Sequence, residues 1–439
     1  MRLTDHRRTE IADGRVRQSV TVSWTGGEHD LWLEGPTDLL GTADDLSGFT
    51  TMAMLPAMAA AEDLQVDGAI SAQLSHGLGE VAAIWSQWNP RLRRPQITAD
   101  LVNTGASHRP EANTAAYFSR GVDSLYSAVV TRTEVPSPQR LVFVDGLEPT
   151  HSPGVAAAEA RLAGAAADAV GLPVDVVATD ARSFTDRFRG WGDSHGATLA
   201  GMATLLSGGV DTMIVASSYG ALVPAPYGSH PLVDTRFSTE AVTVEHDDVL
   251  FSRVGKVFAL VGSRPDLLPH IKVCFFHDGT DNCGRCPKCL HTMASLFAAG
   301  ALDQATLFPS TIDLDEVRAV RLAGIEKVAN FLEVARTLPA HGFGGELRAA
   351  MLHAVRCSVR PTNRQLLGRA VDRLARRPAR WGGPWLEPEN AVDHGFTVNA
   401  RSLLVEGTPF GEHGRSAAVP SPATQLRPRG PGNDRGSNG

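Results

Sequence analysis

Four of the five cysteines fall within sixteen positions, at Cys274, Cys283, Cys286 and Cys289. The spacing, C-x8-C-x2-C-x2-C, constrains the chain more than any other feature. Two residues between cysteines allow a tight turn that brings thiolates i and i+3 to one ion, and Gly284 and Pro287 suit such turns. Four thiolates at about 2.3 Å in a closed tetrahedron make a structural Zn²⁺ site. A closed site has no open position, so it stabilises a domain rather than activating water. Arg285 and Lys288 would offset the thiolate charge. An iron–sulfur cluster is the main alternative, since Cys-x2-Cys-x2-Cys also occurs in ferredoxins. Free buried cysteines, or His277 or His291 replacing one ligand, are lesser ones. Clustering of this kind points to a metal in a reducing compartment rather than to a disulfide framework. Cys357 falls on an expected amphipathic helix and reads as a core residue.

A chain of 439 residues has room for two or three domains. Residues 1–112 read as an α+β extension, with strands at Ser19 to Trp24 and Asp30 to Leu33, a helix at Met52 to Ala61 and a polar connection at Asn89 to Pro95. Residues 113–272 alternate. Strands are expected at Thr114 to Phe118, Arg140 to Val144, Val174 to Ala178 and Thr212 to Ala216. Helices are expected at Asp123 to Val130, Gly154 to Val170 and Ala197 to Leu206. Such alternation implies βαβ units, a parallel sheet and an α/β fold. Ligands then bind at the carboxyl ends of the strands. Residues 273–310 hold the cysteines. Residues 311–410 read as helical, with apolar periodicity over Glu316 to Thr337 and Gly345 to Val359. Residues 411–439 are rich in Pro, Gly, Ser and Arg without period and read as a disordered tail.

Lys+Arg 41 against Asp+Glu 48 gives a net charge of −7, which argues against a general nucleic-acid coating protein. No run of about eighteen apolar residues predicts a membrane span. No apolar segment follows the basic start Met1 to Arg8, so no signal peptide is expected. The expectation is a soluble, cytoplasmic protein.

The segment Ser119-Arg120-Gly121-Val122-Asp123-Ser124 follows an apolar run and precedes a helical pattern. Backbone N–H groups and the dipole at such a helix start favour an anion. Ser119 and Ser124 can donate to phosphate, and Gly121 permits close approach. A carboxylate at Asp123 suggests Mg²⁺ between it and the phosphates. The alternative is an ordinary capped helix after a strand.

The segment resembles the Ser-Gly-Gly-x-Asp-Ser loop of the PP-loop ATP pyrophosphatases. The resemblance implies an adenine nucleotide alpha hydrolase-like fold and cleavage of ATP to AMP and pyrophosphate, with Ser119 to Ser124 as the ATP-binding residues. Arg120 replaces the first glycine of the commonest form, and could contact phosphate or narrow the site. With the cysteine spacing, the chain is similar to 7-cyano-7-deazaguanine synthase over roughly residues 113–300. That resemblance implies that the four cysteines bind zinc.

Other segments fall where that family places substrate groups. His195 lies in Trp191 to Gly196, read as the loop and helix start before Ala197. Ser217 to Gly220 follow a strand and should line the cleft. Asp234 and Arg236 loosely resemble a substrate-acid stretch. Arg253 falls at the place of a family lysine, and Arg253 or Lys256 could stabilise charge on departing pyrophosphate. Each also reads as a helix cap, a polar surface loop or a solvated helix end.

The expected activity is ATP-dependent adenylation of a small carboxylic acid, then attack by ammonia to give an amide or nitrile. A PP-loop enzyme acting on a protein or tRNA, and a non-catalytic nucleotide-binding module, are the alternatives.

Overall fold

Strands from the first hundred residues and strands from the central region meet edge to edge in one ten-stranded sheet. The computed structural model describes residues 1–359 except 43, 104–112, 131–135, 149–151, 221–225 and 276. Residues 360–410 of the expected helical region and the expected tail at 411–439 lie outside the described residues.

The strands are β1 (Arg2–Ile11), β2 (Arg15–Trp24), β3 (Gly27–Pro36), β4 (Leu64–Ser71), β5 (Ile97–Val102), β6 (Thr114–Tyr117), β7 (Arg140–Asp145), β8 (Val174–Thr179), β9 (Thr212–Ala216) and β10 (Thr243–Asp247). Their order is β10-β9-β6-β7-β8-β3-β2-β1-β4-β5. From β10 to β8 every pairing is parallel. β3 joins this half through an antiparallel pairing with β8, Leu33 opposite Thr179. The sheet is therefore mostly parallel, and the boundary expected at residue 112 is not a break in it.

The helices are α1 (Ser47–Ala60), α2 (Ala72–Trp88), α3 (Val122–Val129), α4 (Pro153–Val170), α5 (Ala181–Thr185), α6 (Trp191–Leu205), α7 (Arg253–Ser263), α8 (Pro287–Ala298), α9 (Leu314–Ala319), α10 (Ile325–Thr337) and α11 (Gly342–Ser358). Side chains of the central strands alternate between two cores. Ala115, Tyr117 and Met213 face the core shared with α1, α2 and α6. Ala116, Leu141 and Ile214 face the core built by α3, α4, α7, α8, α10 and α11. Burial on both faces is why these strands read as short apolar runs rather than alternating ones. In β2 the pattern does alternate, with Val16, Val20 and Val22 buried.

Glycines let α1 and α6 touch. A Cβ on Gly48 would lie 2.5 Å from the Gly201 carbonyl, and one on Gly201 would lie 2.4 Å from the Gly48 carbonyl. The helix expected from Ala197 begins earlier, at Trp191. Its first turns carry Gly192 and Gly196, which disguise helical periodicity. Gly196 is required by packing, since a Cβ there would meet the Gly228 carbonyl at 2.0 Å. The helix expected over Glu316 to Thr337 is two helices. Asp313 caps α9 by accepting from Asp315 N–H at 2.8 Å, and Gly324, at φ +97°, stands before α10.

Candidate active site and metal centre

The chain steps outward from β6 to β7 and β8, then returns to place β9 on the other side of β6. A sheet whose strand order reverses in this way opens a crevice at the carboxyl ends of the two strands beside the reversal. A cavity of about 620 Å³ lies there. Among the described residues its wall includes Ser119, Gly121, Asp123 and Ser124 from the loop after β6.

The loop is held by its own serines. Ser124 Oγ accepts from Ser119 N–H at 3.2 Å and donates to the Gly121 carbonyl at 3.1 Å. The Ser119 and Ser124 hydroxyls lie 3.3 Å apart. Gly121 is the N-cap of α3 and has no side chain to satisfy the first-turn N–H groups, which stay available to an anion.

Arg120 turns away from the cavity. Its backbone is left-handed at φ +60° and its side chain is only 1% exposed. The guanidinium pairs with Glu159 of α4 and is not part of the cavity wall. Its carbonyl accepts from Lys272 N–H at 3.1 Å. Lys272 Nζ lies 3.9 Å from Glu159 and donates to the carbonyls of Gly279 and Asp281 at 2.6 and 2.5 Å. Arg120 thus ties the loop to α4 and to the segment carrying the cysteines.

Asp123 is not a free carboxylate. Arg253 Nε lies 3.2 and 3.1 Å from its two oxygens, and the guanidinium terminus bonds to it as well. Burial raises the Asp123 pKa, but Arg253, Lys256 and more distantly Lys288 outweigh burial and hold it below the usual value. Ser252 starts α7 by accepting from Gly255 N–H at 3.2 Å, which aims Arg253 at the loop. Lys256, one turn on, is fully buried and donates to the Ser217 carbonyl at 2.6 Å. It braces the end of β9 and does not line the cavity.

His195 does line it. Its Nδ1 donates to the Trp191 carbonyl at 2.9 Å, which leaves Nε2 as the acceptor. Burial draws its pKa down against that hydrogen bond. Tyr227 packs edge-on at 4.6 Å, and Tyr219 packs on Tyr227 at 5.0 Å. The structure separates Asp234 and Arg236 from this group. Asp234 is 1% exposed and accepts from the Ser229 hydroxyl at 2.5 Å, His246 Nδ1 at 2.8 Å and His230 N–H at 3.1 Å. Arg236 turns to α2, with Nε 2.8 Å from Glu80. Both residues hold the loop and stand outside the cavity wall.

The four cysteine sulfurs all lie within 4.8 Å of one another. Cys283 and Cys289 Sγ are 3.8 Å apart, and Cys274 and Cys286 Sγ are 4.0 Å apart. A tetrahedron with metal–sulfur bonds of about 2.3 Å has edges of about 3.8 Å, so the four sulfurs fit a zinc ion. Backbone N–H groups of Arg285 and Cys286 point at Cys283 Sγ from 3.5 and 3.4 Å, and Cys289 N–H points at Cys286 Sγ from 3.4 Å. Gly284 supplies the left-handed turn at φ +69°, and Cys286 and Pro287 start α8. The fourth sulfur, that of Cys274, is placed by Asn282, whose Oδ1 accepts from Val273 and Cys274 N–H at 2.8 and 3.1 Å. His277 lies at the rim, its Nδ1 4.0 Å from Cys274 Sγ. Cys357 is half-buried on α11, 3.4 Å from His353 Nε2.

The knuckle also serves the cavity. Lys288, between two cysteines, lines the cavity, with Nζ 4.3 Å over the Phe275 ring. The sequence reading assigned it to the thiolates, passed over Glu148 and Asn330 on the same wall, and weighed His291 only as a replacement cysteine ligand. Glu148 follows β7, 3.7 Å from Arg182, and burial pushes its pKa up to about 7. His291 and Asn330 come from α8 and α10. Glu148 follows the Gly146 turn at the end of β7, so a carboxyl end of a parallel strand was the signal that could have found it. The local pattern marks His291 only by its nearness to the cysteines, and nothing in it marks Asn330. Among the described residues no helix is long and apolar enough to cross a membrane.

No family model matches the chain, and neither a curated protein nor a solved structure matches it.

Proposed function

We propose that the chain is an ATP-dependent enzyme of the PP-loop class that adenylates a small carboxylic acid and passes the acyl group to ammonia. The observation that carries this reading is the place of the Ser119 to Ser124 loop. It ends β6 beside the sheet reversal, opens α3, and faces Arg253 and Lys288 across one cavity. Hydroxyls, first-turn N–H groups and two cations suit the pyrophosphate end of ATP.

The acid's carboxylate oxygen attacks the α-phosphorus, and the bond to pyrophosphate breaks. Ammonia then attacks the acyl carbon, AMP leaves with the bonding electrons, and one nitrogen proton is lost. The product is an amide, and a nitrile requires removal of a further water. Arg253 and Lys288 offset charge on the departing pyrophosphate, and the loop holds the group in line. His195, neutral with Nε2 as acceptor, can receive a hydrogen bond from the acceptor molecule.

The cysteine residues fit zinc, which would hold the start of α8 and Lys288 in place and take no part in chemistry. Asp123 does not fit the Mg²⁺ role expected of it, because Arg253 occupies both its oxygens. No step is therefore routed through a metal at Asp123. Arg120 gives no support to a disabled loop, since it leaves the cavity clear. Closure of one wall by α10 favours a small acceptor over a protein or RNA. Reducing conditions for the thiols and the absence of a membrane-crossing helix among the described residues suit a cytoplasmic enzyme.

The test is product analysis with ATP, ammonium and a panel of small acids. Acid-dependent AMP and pyrophosphate support the reading, and ADP with phosphate contradicts it.

A further inference from the structure

The loop between the first two cysteines carries a histidine that faces the metal centre without belonging to it. His277 Nδ1 lies 4.0 Å from Cys274 Sγ, the same spacing as that between the Cys274 and Cys286 sulfurs. Its other ring nitrogen, Nε2, lies 3.1 Å from Asp281 Oδ1. An ionised carboxylate only accepts, so Nε2 carries the proton and Nδ1 turns a lone pair to the sulfur. A ring with one nitrogen fixed by a carboxylate and the other left free is the usual build of a metal-binding histidine. Yet the four sulfurs already make the tight group, and His277 stands outside it.

The ring is mounted on a pinned loop. Lys272 Nζ donates to the Gly279 and Asp281 carbonyls at 2.6 and 2.5 Å, and Asp278 accepts from Ser152 N–H at 2.8 Å. Gly279 N–H donates to the His277 carbonyl at 3.1 Å. A Cβ on Gly279 would come within 3.0 Å of Asp281 Oδ1 and 3.4 Å of His277 Nε2, so the glycine leaves room for the pair. The His277 side chain is 32% exposed while Cys274 is buried, which puts the histidine between that ligand and solvent.

We propose that His277 is a spare zinc ligand, able to take the place of Cys274 and turn a four-thiolate centre into three thiolates and one imidazole without release of the ion. In that exchange the bond to Cys274 Sγ breaks, a bond to His277 Nδ1 forms, and the freed thiolate takes a proton from solvent. Zinc accepts both ligand sets in a closed tetrahedron. The consequence is a knuckle that stays closed, and keeps Lys288 on the cavity, when Cys274 is lost from the ion. The inference rests on the zinc reading and not on adenylation.

The experiment loads Co²⁺ into the full chain without ATP. Thiolate-to-cobalt charge transfer counts the sulfurs, and the ligand-field bands separate four sulfurs from three sulfurs and a nitrogen. The native chain and His277→Phe should both bind one cobalt with the four-sulfur spectrum. Cys274→Ala should still bind one, with weaker charge transfer and ligand-field bands moved to higher energy. Adding His277→Phe to Cys274→Ala should weaken cobalt binding by about tenfold or more, and adding Asp281→Ala should weaken it in the same direction. Circular dichroism of each variant reads its fold. Loss of the ion in Cys274→Ala, failure of that variant to fold where His277→Phe folds, or an affinity indifferent to His277→Phe overturns the proposal. An iron–sulfur spectrum in the native chain overturns it as well. AMP formation by a native chain whose Cys274→Ala variant loses the ion would leave the adenylation reading standing and remove this one.

Discussion

Arg253 clasps Asp123 across the cavity, its Nε 3.2 and 3.1 Å from the two carboxylate oxygens. One residue opens α3 and the other opens α7, 130 positions apart. The pair joins the loop after β6 to the wall opposite it, and both side chains are largely buried.

Breaking that pair from one side should cost stability as well as function. Arg253→Met leaves a buried carboxylate without its cation, a change worth about 3 kcal/mol. Thermal melting should show it. The pH dependence gives the sign. The folded Asp123 pKa lies below the ordinary 3.8, so its stabilisation is full above that value and is lost as pH falls through the folded value. Acid titration of the native chain should show this loss below about pH 4, and Arg253→Met should lack it.

Arg120 poses a contest between strain and charge. Arg120→Gly relieves a left-handed backbone worth about 1–2 kcal/mol. It also leaves Glu159 facing only Lys272 at 3.9 Å, a loss of about 3–5 kcal/mol. The charge wins, so the variant should melt lower than the native chain. Arg120→Gly with Glu159→Gln should recover much of the difference, and ATP affinity should change little in either.

The metal centre should carry one zinc per chain. Metal analysis of the purified protein checks this, and a brown protein with iron contradicts it. Removal by a strong chelator, or Cys286→Ser, should lower the melting temperature by on the order of 5–10 °C. Because the knuckle carries Lys288 into the cavity, ATP affinity should fall along with it.

On the proposed reading, Glu148 couples ATP affinity to pH. Burial raises its pKa to about 7, so it is protonated at pH 6 and charged at pH 8. A negative charge gained beside bound phosphates weakens them. ATP affinity should therefore drop from pH 6 to 8, and Glu148→Gln should flatten that part of the profile. An identical drop in the variant would assign it elsewhere.

The parts of this arrangement that depend on local pattern can be read along the chain. β9 occupies the expected Thr212 to Ala216, and β6, β7 and β8 fall within one residue of expectation. The cysteine spacing announces its cluster because thiolate geometry needs only a few turn residues. What depends on distant partners cannot be read. β10, Thr-Val-Glu-His-Asp, is too polar to announce a strand and is paired only because β9 lies beside it. β3 joins β8 through residues 146 positions apart, Leu33 and Thr179. Asp234 looked like a substrate ligand because its stretch, with Arg236, loosely resembles the family's substrate-acid stretch. Its actual partners, Ser229 and His246, become neighbours only when the loop folds onto β10.

The most direct measurement is the product of ATP cleavage when Mg-ATP, ammonium and small carboxylic acids are supplied together, with AMP, ADP and pyrophosphate resolved. The account predicts AMP and pyrophosphate in equal amounts, dependent on the acid and lost in Asp123→Ala and Arg253→Met. ADP and phosphate, or AMP formation unaffected by those variants, would contradict it.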